Sequence, residues 1–204
     1  MSSSAPKPTS LNFDELVSGL DFSVFSEELR DSLYGFQKRG LEFVVAHEGR
    51  TLIGDEMGLG KTVQAIAAAA FYRSTWPVLV ICPSSVRLNW KAEFCRWLPY
   101  VTKKHVNVIL NGKTALFPYP SSQRDRKVVI ISYDLFTKFI EEIERVGFQF
   151  VICDESHYLK SATAKRTQCI VPVLKKAKHV IMLTGTPALS RPIELYTQID
   201  ALQP

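Results

Sequence analysis

The sequence predicts an α/β fold with a largely parallel sheet, and three observations carry that expectation. Apolar runs of strand length alternate with amphipathic stretches of helix length. The runs are rich in β-branched residues and nearly continuous in apolarity, the pattern of strands covered by helices on both faces. Five of them are followed at once by a polar or glycine-containing patch, and in open parallel sheets ligands bind beyond the carboxyl ends of the strands.

The strand candidates, in order, are Thr51–Ile53, Val78–Cys82, Val106–Leu110, Val128–Ser132, Phe150–Cys153 and His179–Leu183. Helical stripes lie between them. Phe36, Gly40, Leu41, Val44 and Val45 share one face, and Val63–Ala70 is strong helix material. Val86, Trp90, Phe94, Trp97 and Leu98 share a second face. A third stripe joins Leu135, Phe136, Phe139, Ile140, Ile143 and Val146, with Asp134 placed to cap its start. The helical period of these aromatics favours core packing over base stacking. The segment from Asn111 to Lys127, with its prolines and serines, reads as an exposed loop.

At 204 residues the length suits one large domain, and a 46% hydrophobic content supports a sizeable core. The Ser/Pro-rich residues 1–10 read as a disordered leader, 11–32 as an extension packing on the domain, and 33–204 as the domain itself. No apolar stretch is long enough to cross a bilayer. Twenty-five Lys and Arg against 20 Asp and Glu give a formal charge of +5, which suits a polyanionic partner without requiring one. Cys82, Cys95, Cys153 and Cys169 show no paired or metal-ligand spacing. They read as reduced thiols, two of them inside strands, and point to an intracellular compartment.

The run Gly54-Asp55-Glu56-Met57-Gly58-Leu59-Gly60-Lys61-Thr62 joins a strand to a helix. Gly58 and Gly60 let backbone N–H groups turn inward, and the helix N-terminus adds partial positive charge, which together make a phosphate cradle. In such a cradle Lys61 reaches the β/γ-phosphates and the Thr62 hydroxyl holds Mg²⁺. Asp55 occupies the position where the general phosphate-loop pattern has its first glycine. The plainer alternative is a tight turn with a surface lysine, which the strand and helix context disfavours.

The strand Phe150–Cys153 ends in Asp154-Glu155-Ser156-His157. Asp154 suits the Mg²⁺ shell, largely through water, and Glu155 suits the orientation and deprotonation of an attacking water. Pro83-Ser84-Ser85, Ser132-Tyr133-Asp134 and Thr184-Gly185-Thr186-Pro187 follow three further strands, so five patches share one rim. Ser84 and Ser85 could grip a nucleic-acid phosphate or simply cap the helix that follows.

These motifs, in this order, resemble the first RecA-like lobe of superfamily 2 ATPases. The form Asp55 to Thr62 is similar to the Swi/Snf family of ATP-dependent double-stranded DNA translocases, in which Asp stands where the general pattern has glycine. Asp154 to Ser161 and Leu183 to Pro192 look most like the annealing-helicase (HARP-like) branch. The resemblance runs from about Ser26 to the C-terminus. It implies a single RecA-like three-layer lobe, ATP and Mg²⁺ as cofactors, and DNA, duplex or branched, as a partner bound without regard to sequence. It also implies a nuclear location and roles in DNA repair, replication-fork or chromatin processes. Asp55, Gly58, Leu59, Gly60, Lys61 and Thr62 would hold the nucleotide, with Thr62 and Asp154 at the metal. Gln37 would read adenine, although Gly35 stands where the family usually has proline. Ser156 and His157, with Thr184, Gly185 and Thr186, would couple nucleotide state to DNA. Pro83, Ser84, Arg87, Ser132 and Tyr133 would track the DNA backbone. The family's motor takes an arginine from a second lobe, so this chain alone is expected to bind ATP weakly and hydrolyse it poorly. The alternative is a nucleotide- or DNA-binding module with no turnover. A small-molecule kinase lacks support, and Ser-His after Asp154-Glu155 disfavours an RNA helicase.

Overall fold

The computed structural model describes residues 20–117, 127–185 and 192–203. Six strands form one sheet: β1 (Arg50–Ile53), β2 (Val78–Cys82), β3 (Val106–Val108), β4 (Val128–Ser132), β5 (Phe150–Asp154) and β6 (His179–Leu183). Their order is β1-β6-β5-β2-β4-β3, and every pairing is parallel. All six expected strands are present. β3 stops at Val108 because the chain turns at Asn111, whose side-chain oxygen accepts the Lys113 N–H at 2.9 Å.

The eight α-helices of the described residues, besides short 3-10 turns, are α1 (Glu27–Ser32), α2 (Gly35–Ala46), α3 (Lys61–Phe71), α4 (Arg87–Trp97), α5 (Tyr133–Phe136), α6 (Ile140–Val146), α7 (Lys165–Lys176) and α8 (Pro192–Leu202). Successive strand residues point to opposite faces. Val78, Val80 and Cys82 therefore enter one core with Leu41, Ile66, Trp90 and Phe94. Leu79 and Ile81 enter the other, with Phe136, Ile143, Ile170 and Leu174. The result is a three-layer sandwich in which α2–α4 cover one face and α5–α8 the other. Phe25, Leu29 and Leu33 fasten the α1 segment to the first core.

Three local expectations are corrected. Asp134 caps nothing: it lies in the first turn of a short α5, and the stripe after it breaks at residues 137–139 before resuming as α6. Phe136, Phe139 and Ile143 are buried all the same. In α2 the inward position beside Leu41 belongs to Gln37, while Phe36 is 38% exposed and stacks on Tyr34. The segment after β3 is not wholly exposed, since Leu116 is buried and Asn107 Nδ2 donates to the Ala115 and Leu116 carbonyls at 2.9 and 2.8 Å. Residues 118–126 of that segment lie outside the described set.

Candidate nucleotide-binding site

Parallel register brings the carboxyl ends of β1, β2, β4, β5 and β6 to one edge. Ile53 pairs with Leu183, Leu183 with Asp154, and Cys82 with Ser132. A cavity of about 450 Å³ opens at this edge, with Gly60, Lys61, Thr62, Asp154 and Glu155 in its wall. The two motifs that the sequence separates by about 90 residues thus face one space.

The phosphate loop is built around Gly60, whose φ of 75° suits glycine and initiates α3. A Cβ there would run into Gln37 Nε2. Gln37 is buried and bonded once at each end of its amide: its Oε1 accepts the Tyr34 N–H at 2.9 Å and its Nε2 donates to the Leu59 carbonyl at 2.9 Å, which leaves one N–H and one lone pair for another partner. It ties the start of α2 to the loop. Asp55 Oδ2 accepts from Gln64 Nε2 at 2.8 Å, so the residue that departs from the general pattern anchors the loop to α3. Lys61 Nζ donates to the Asp55 and Glu56 carbonyls at 2.7 and 2.9 Å. Those carbonyls hold the ammonium where a stronger, anionic acceptor would displace them.

Across the cavity, both oxygens of Asp154 are engaged. Oδ2 accepts the Trp90 indole N–H at 2.8 Å and Oδ1 the Glu155 backbone N–H at 3.0 Å. Burial pushes the Asp154 carboxyl above the usual carboxylate range, against the opposing pull of the Trp90 hydrogen bond. Glu155 is one of the two non-glycine residues with positive φ among the described residues (φ 51°), a strain of the kind stored at functional sites. Its carbonyl accepts the Tyr158 N–H at 3.0 Å, which holds the turn. His157 Nδ1 lies 3.2 Å from Glu155 Oε2, near enough for electrostatic pairing but without hydrogen-bond geometry.

The residues expected to touch DNA divide into two groups. Ser84 and Ser85 are exposed on a short turn beyond β2, with Pro83 half-buried beside them. They do not cap α4, whose N-cap is Val86 without a side-chain cap bond. Arg87 does not present a free charge: its guanidinium donates to the carbonyls of Ser84, Ile109 and Leu110. Ser132, Tyr133 and Thr184 are buried, at 3%, 1% and 0% exposure, which corrects the expectation that the first two lie against the DNA backbone. Tyr133 instead donates from its hydroxyl to the Asp154 carbonyl at 2.7 Å and stacks on Tyr158. Burial pushes its hydroxyl well above the ordinary phenol range, so it stays a neutral donor. A Cβ on Gly185 would meet Met57 Cγ at 2.9 Å and Lys61 Nζ at 3.8 Å, so that glycine abuts the phosphate loop. Thr186 lies outside the described residues.

Sequence reasoning missed Asn89 and Glu93, which line the cavity from α4. Their spacing of four on one helix face with Trp97 was the available signal. A second cavity of about 440 Å³, lined by Leu33, Tyr34, Gln37 and Arg96, shares Val63 and Trp97 with the first.

The family described as the SNF2-related domain matches residues 36–204. The chain belongs to that family. It is 48% identical over 184 residues to the Bos taurus SWI/SNF-related matrix-associated actin-dependent regulator of chromatin subfamily A-like protein 1, covering 90% of this chain and 19% of that protein. It is 43% identical over 205 residues to the Mus musculus DNA annealing helicase and endonuclease ZRANB3, covering 98% of this chain and 18% of that protein. The chain therefore spans about a fifth of the length of these relatives. Its fold is also that of the Sulfolobus solfataricus SWI2/SNF2 ATPase core in complex with dsDNA. The TM-score is 0.62 at 24% identity, over 83% of this chain and 35% of that one. The likeness to annealing helicases and the α/β sandwich with a parallel sheet, both expected from the motifs, stand. Among the described residues no helix is long and apolar enough to cross a membrane.

Proposed function

We propose that this chain is the ATP-binding lobe of a DNA-dependent ATPase that moves along duplex DNA or rewinds it, working in the nucleus. The observation that carries the reading is the convergence of Lys61, Thr62, Asp154 and Glu155 on one cavity at the sheet's carboxyl edge. The named activity of the annealing-helicase relative supports the DNA role.

The donor set fits magnesium. A hydroxyl from Thr62 and a carboxylate from Asp154 are hard oxygen ligands in one cavity wall, with room for the waters that this cation retains. When bound, Mg²⁺ neutralises charge on the β/γ-phosphates. Lys61 leaves its loop carbonyls to take the same phosphates, while the N–H groups at the start of α3 face them. Glu155 orients the attacking water and accepts its proton. The cavity shared through Val63 and Trp97 receives the nucleoside, where Gln37 meets the adenine edge. Ser84 and Ser85 offer hydroxyls to DNA phosphate, a contact that carries no sequence information. Tyr133, Ser156, His157, Thr184 and Gly185 act as couplers behind the site rather than as DNA contacts.

Phosphoryl transfer in such motors is completed by an arginine finger, which contributes about 10³–10⁵ in rate. The second lobe expected from the resemblance would supply it, so hydrolysis by these 204 residues alone is slow. The test is calorimetric titration of the purified chain with ADP and ATP in Mg²⁺, alongside ATPase assay with and without duplex DNA. Binding with feeble turnover is expected, and Lys61→Ala should abolish binding while leaving the thermal transition in place. Unchanged affinity in that variant would remove the phosphate-loop assignment. Robust DNA-stimulated turnover by the chain alone would overturn the need for a second lobe.

A further inference from the structure

Asp154 has a partner that the reading above does not use. Trp90 stands on α4 one turn beyond Arg87, is 2% exposed, and packs against Phe94 with ring centroids 6.0 Å apart. Its Nε1–H donates to Asp154 Oδ2 at 2.8 Å, while the Glu155 N–H holds Oδ1 at 3.0 Å. Each carboxylate oxygen thus carries one fixed donor and keeps lone-pair capacity, so the plane of the group is set from both sides.

We propose that Trp90 is a positioning residue for cation binding: its indole N–H holds the Asp154 carboxylate in the orientation that receives the Mg²⁺–nucleotide complex. The inference rests on the assignment of Asp154 to the metal. An indole is a rigid, donor-only group and cannot itself ligate a cation. It lends a half-buried carboxylate a hydrogen bond that favours the charged form, and it restricts the rotamers available to it. Partners of this kind orient a ligand and sharpen its affinity without touching the ion.

Packing alone does not account for the arrangement. A buried tryptophan needs an acceptor, and a backbone carbonyl suffices, as for Trp76, whose Nε1 donates to the Ala69 carbonyl at 2.7 Å. Trp97 uses the Glu93 carboxylate on its own helix at 2.7 Å. Trp90 instead reaches across from α4 to the end of β5 and meets the carboxylate of the candidate metal site. The same helix follows directly from the exposed Ser84–Ser85 turn, so its first turns and the indole connect that turn to Asp154.

The decisive experiment is Trp90→Phe in the full chain, with ADP affinity titrated once in Mg²⁺ and once in EDTA. Phenylalanine keeps the ring and loses the donor. EDTA affinity should stay within about twofold, while the enhancement by Mg²⁺ should fall about 10-fold or more, the range of ligand-orienting partners. A merely structural role would move both affinities together, and full retention of the Mg²⁺ enhancement would overturn the proposal. A second measurement keeps the proposal falsifiable if the variant does not fold. In the unaltered chain, labelled with ¹⁵N-tryptophan and assigned with Trp76→Phe and Trp97→Phe, the Trp90 indole N–H resonance should shift on adding ADP with Mg²⁺ but not ADP with EDTA. Absence of a Mg²⁺-specific shift would overturn it. Failure of the unaltered chain to bind ADP at all would overturn the site assignment as well, which separates the two outcomes.

Discussion

At the amino-terminal edge of the sheet, Arg50, His179 and Glu48 form a polar cluster around the starts of β1 and β6. At the carboxyl edge, Lys61, Asp154 and Glu155 form another around the ends of β1 and β5. The chemistry is similar, and each cluster even contains one non-glycine residue at positive φ, Glu48 at 53° and Glu155 at 51°. What differs is where the donors and acceptors go. Arg50 donates to the carbonyls of Leu174, Ala177, Ala201 and Leu202, at the carboxyl ends of α7 and α8. A cation there also meets the negative end of two helix dipoles. His179 Nδ1 donates to the Glu48 carbonyl at 2.6 Å, and its ring stacks on Tyr72 at 3.8 Å. Arg50 and His179 both end on the protein's own backbone. At the carboxyl edge Lys61 rests on loop carbonyls beside an open cavity, where a phosphate can outcompete them. Polar residues at a sheet edge read as structural when their hydrogen bonds close on the fold, and as a site when they face a space.

The largest effect that would break this comparison is a crossed result between the two cations. Arg50→Leu removes a guanidinium from four helix-end carbonyls. With hydrogen bonds to charged groups contributing about 1.5–3 kcal/mol each and not adding, the chain should lose about 2–4 kcal/mol in urea unfolding. ADP affinity of the folded fraction should be unchanged, the reverse of Lys61→Ala. An Arg50 variant that unfolds at the same urea concentration but loses ADP would make the amino-terminal edge part of the site.

A smaller, pH-dependent effect follows from His179. Burial, with Lys178 and Arg50 nearby, lowers its pKa below the ordinary imidazole range, against the weaker opposing pull of the Glu48 carbonyl and carboxylate. Its ring also faces Tyr72. The folded state therefore binds fewer protons than the unfolded chain once pH falls below about 6.5, the ordinary histidine value. The stability contributed by neutral His179 is complete above that pH and is lost as pH falls from there through the lower folded value. The urea midpoint should drop across this window, and His179→Gln should flatten the drop. An equal slope in the variant would assign the titration to another group.

How much of this was legible follows from how local each cause is. The strands were readable because Val78–Cys82 and Val128–Ser132 are buried on both faces and so are apolar up to the polar Ser132 that ends the second. The phosphate loop was readable because backbone conformation demands its glycines in a fixed order. Asp55 was legible as a departure from the general pattern and as a mark of the family; the bond it makes, to Gln64 on the next helix, is a contact that spacing alone does not specify. Tyr133 looked like a polar rim residue, yet it follows a strand enclosed on both sides, and its ring is carried into the second core. Arg50 was silent, since an arginine before an apolar run reads as a surface charge and its acceptors are more than 120 residues away. Helix α7 went unassigned because Pro172 interrupts it, although Thr167, Ile170, Val173 and Leu174 hold a buried face.

The smallest effect sharpens the comparison on the nucleotide side. Gly35 is the first residue of α2, where proline is favoured because that N–H has no intrahelical partner. Tyr34 before it has φ −66° and ψ 158°, the extended conformation that a following proline requires. Among the described residues, the only atom within 4 Å of an added Cβ is a guanidine nitrogen of Arg39 at 3.8 Å. Gly35→Pro should therefore stabilise the chain by about 0.4–1 kcal/mol, mainly by reducing the freedom of the unfolded state. Gln37, two residues on, keeps both of its hydrogen bonds, to Tyr34 and Leu59. ADP affinity should accordingly hold if the turn acts as a fixed frame for the nucleoside cavity. A variant that is more stable but binds ADP less well would mean that the turn has to move for the base to enter. The carboxyl edge would then differ from the sealed one in mobility as well as in openness.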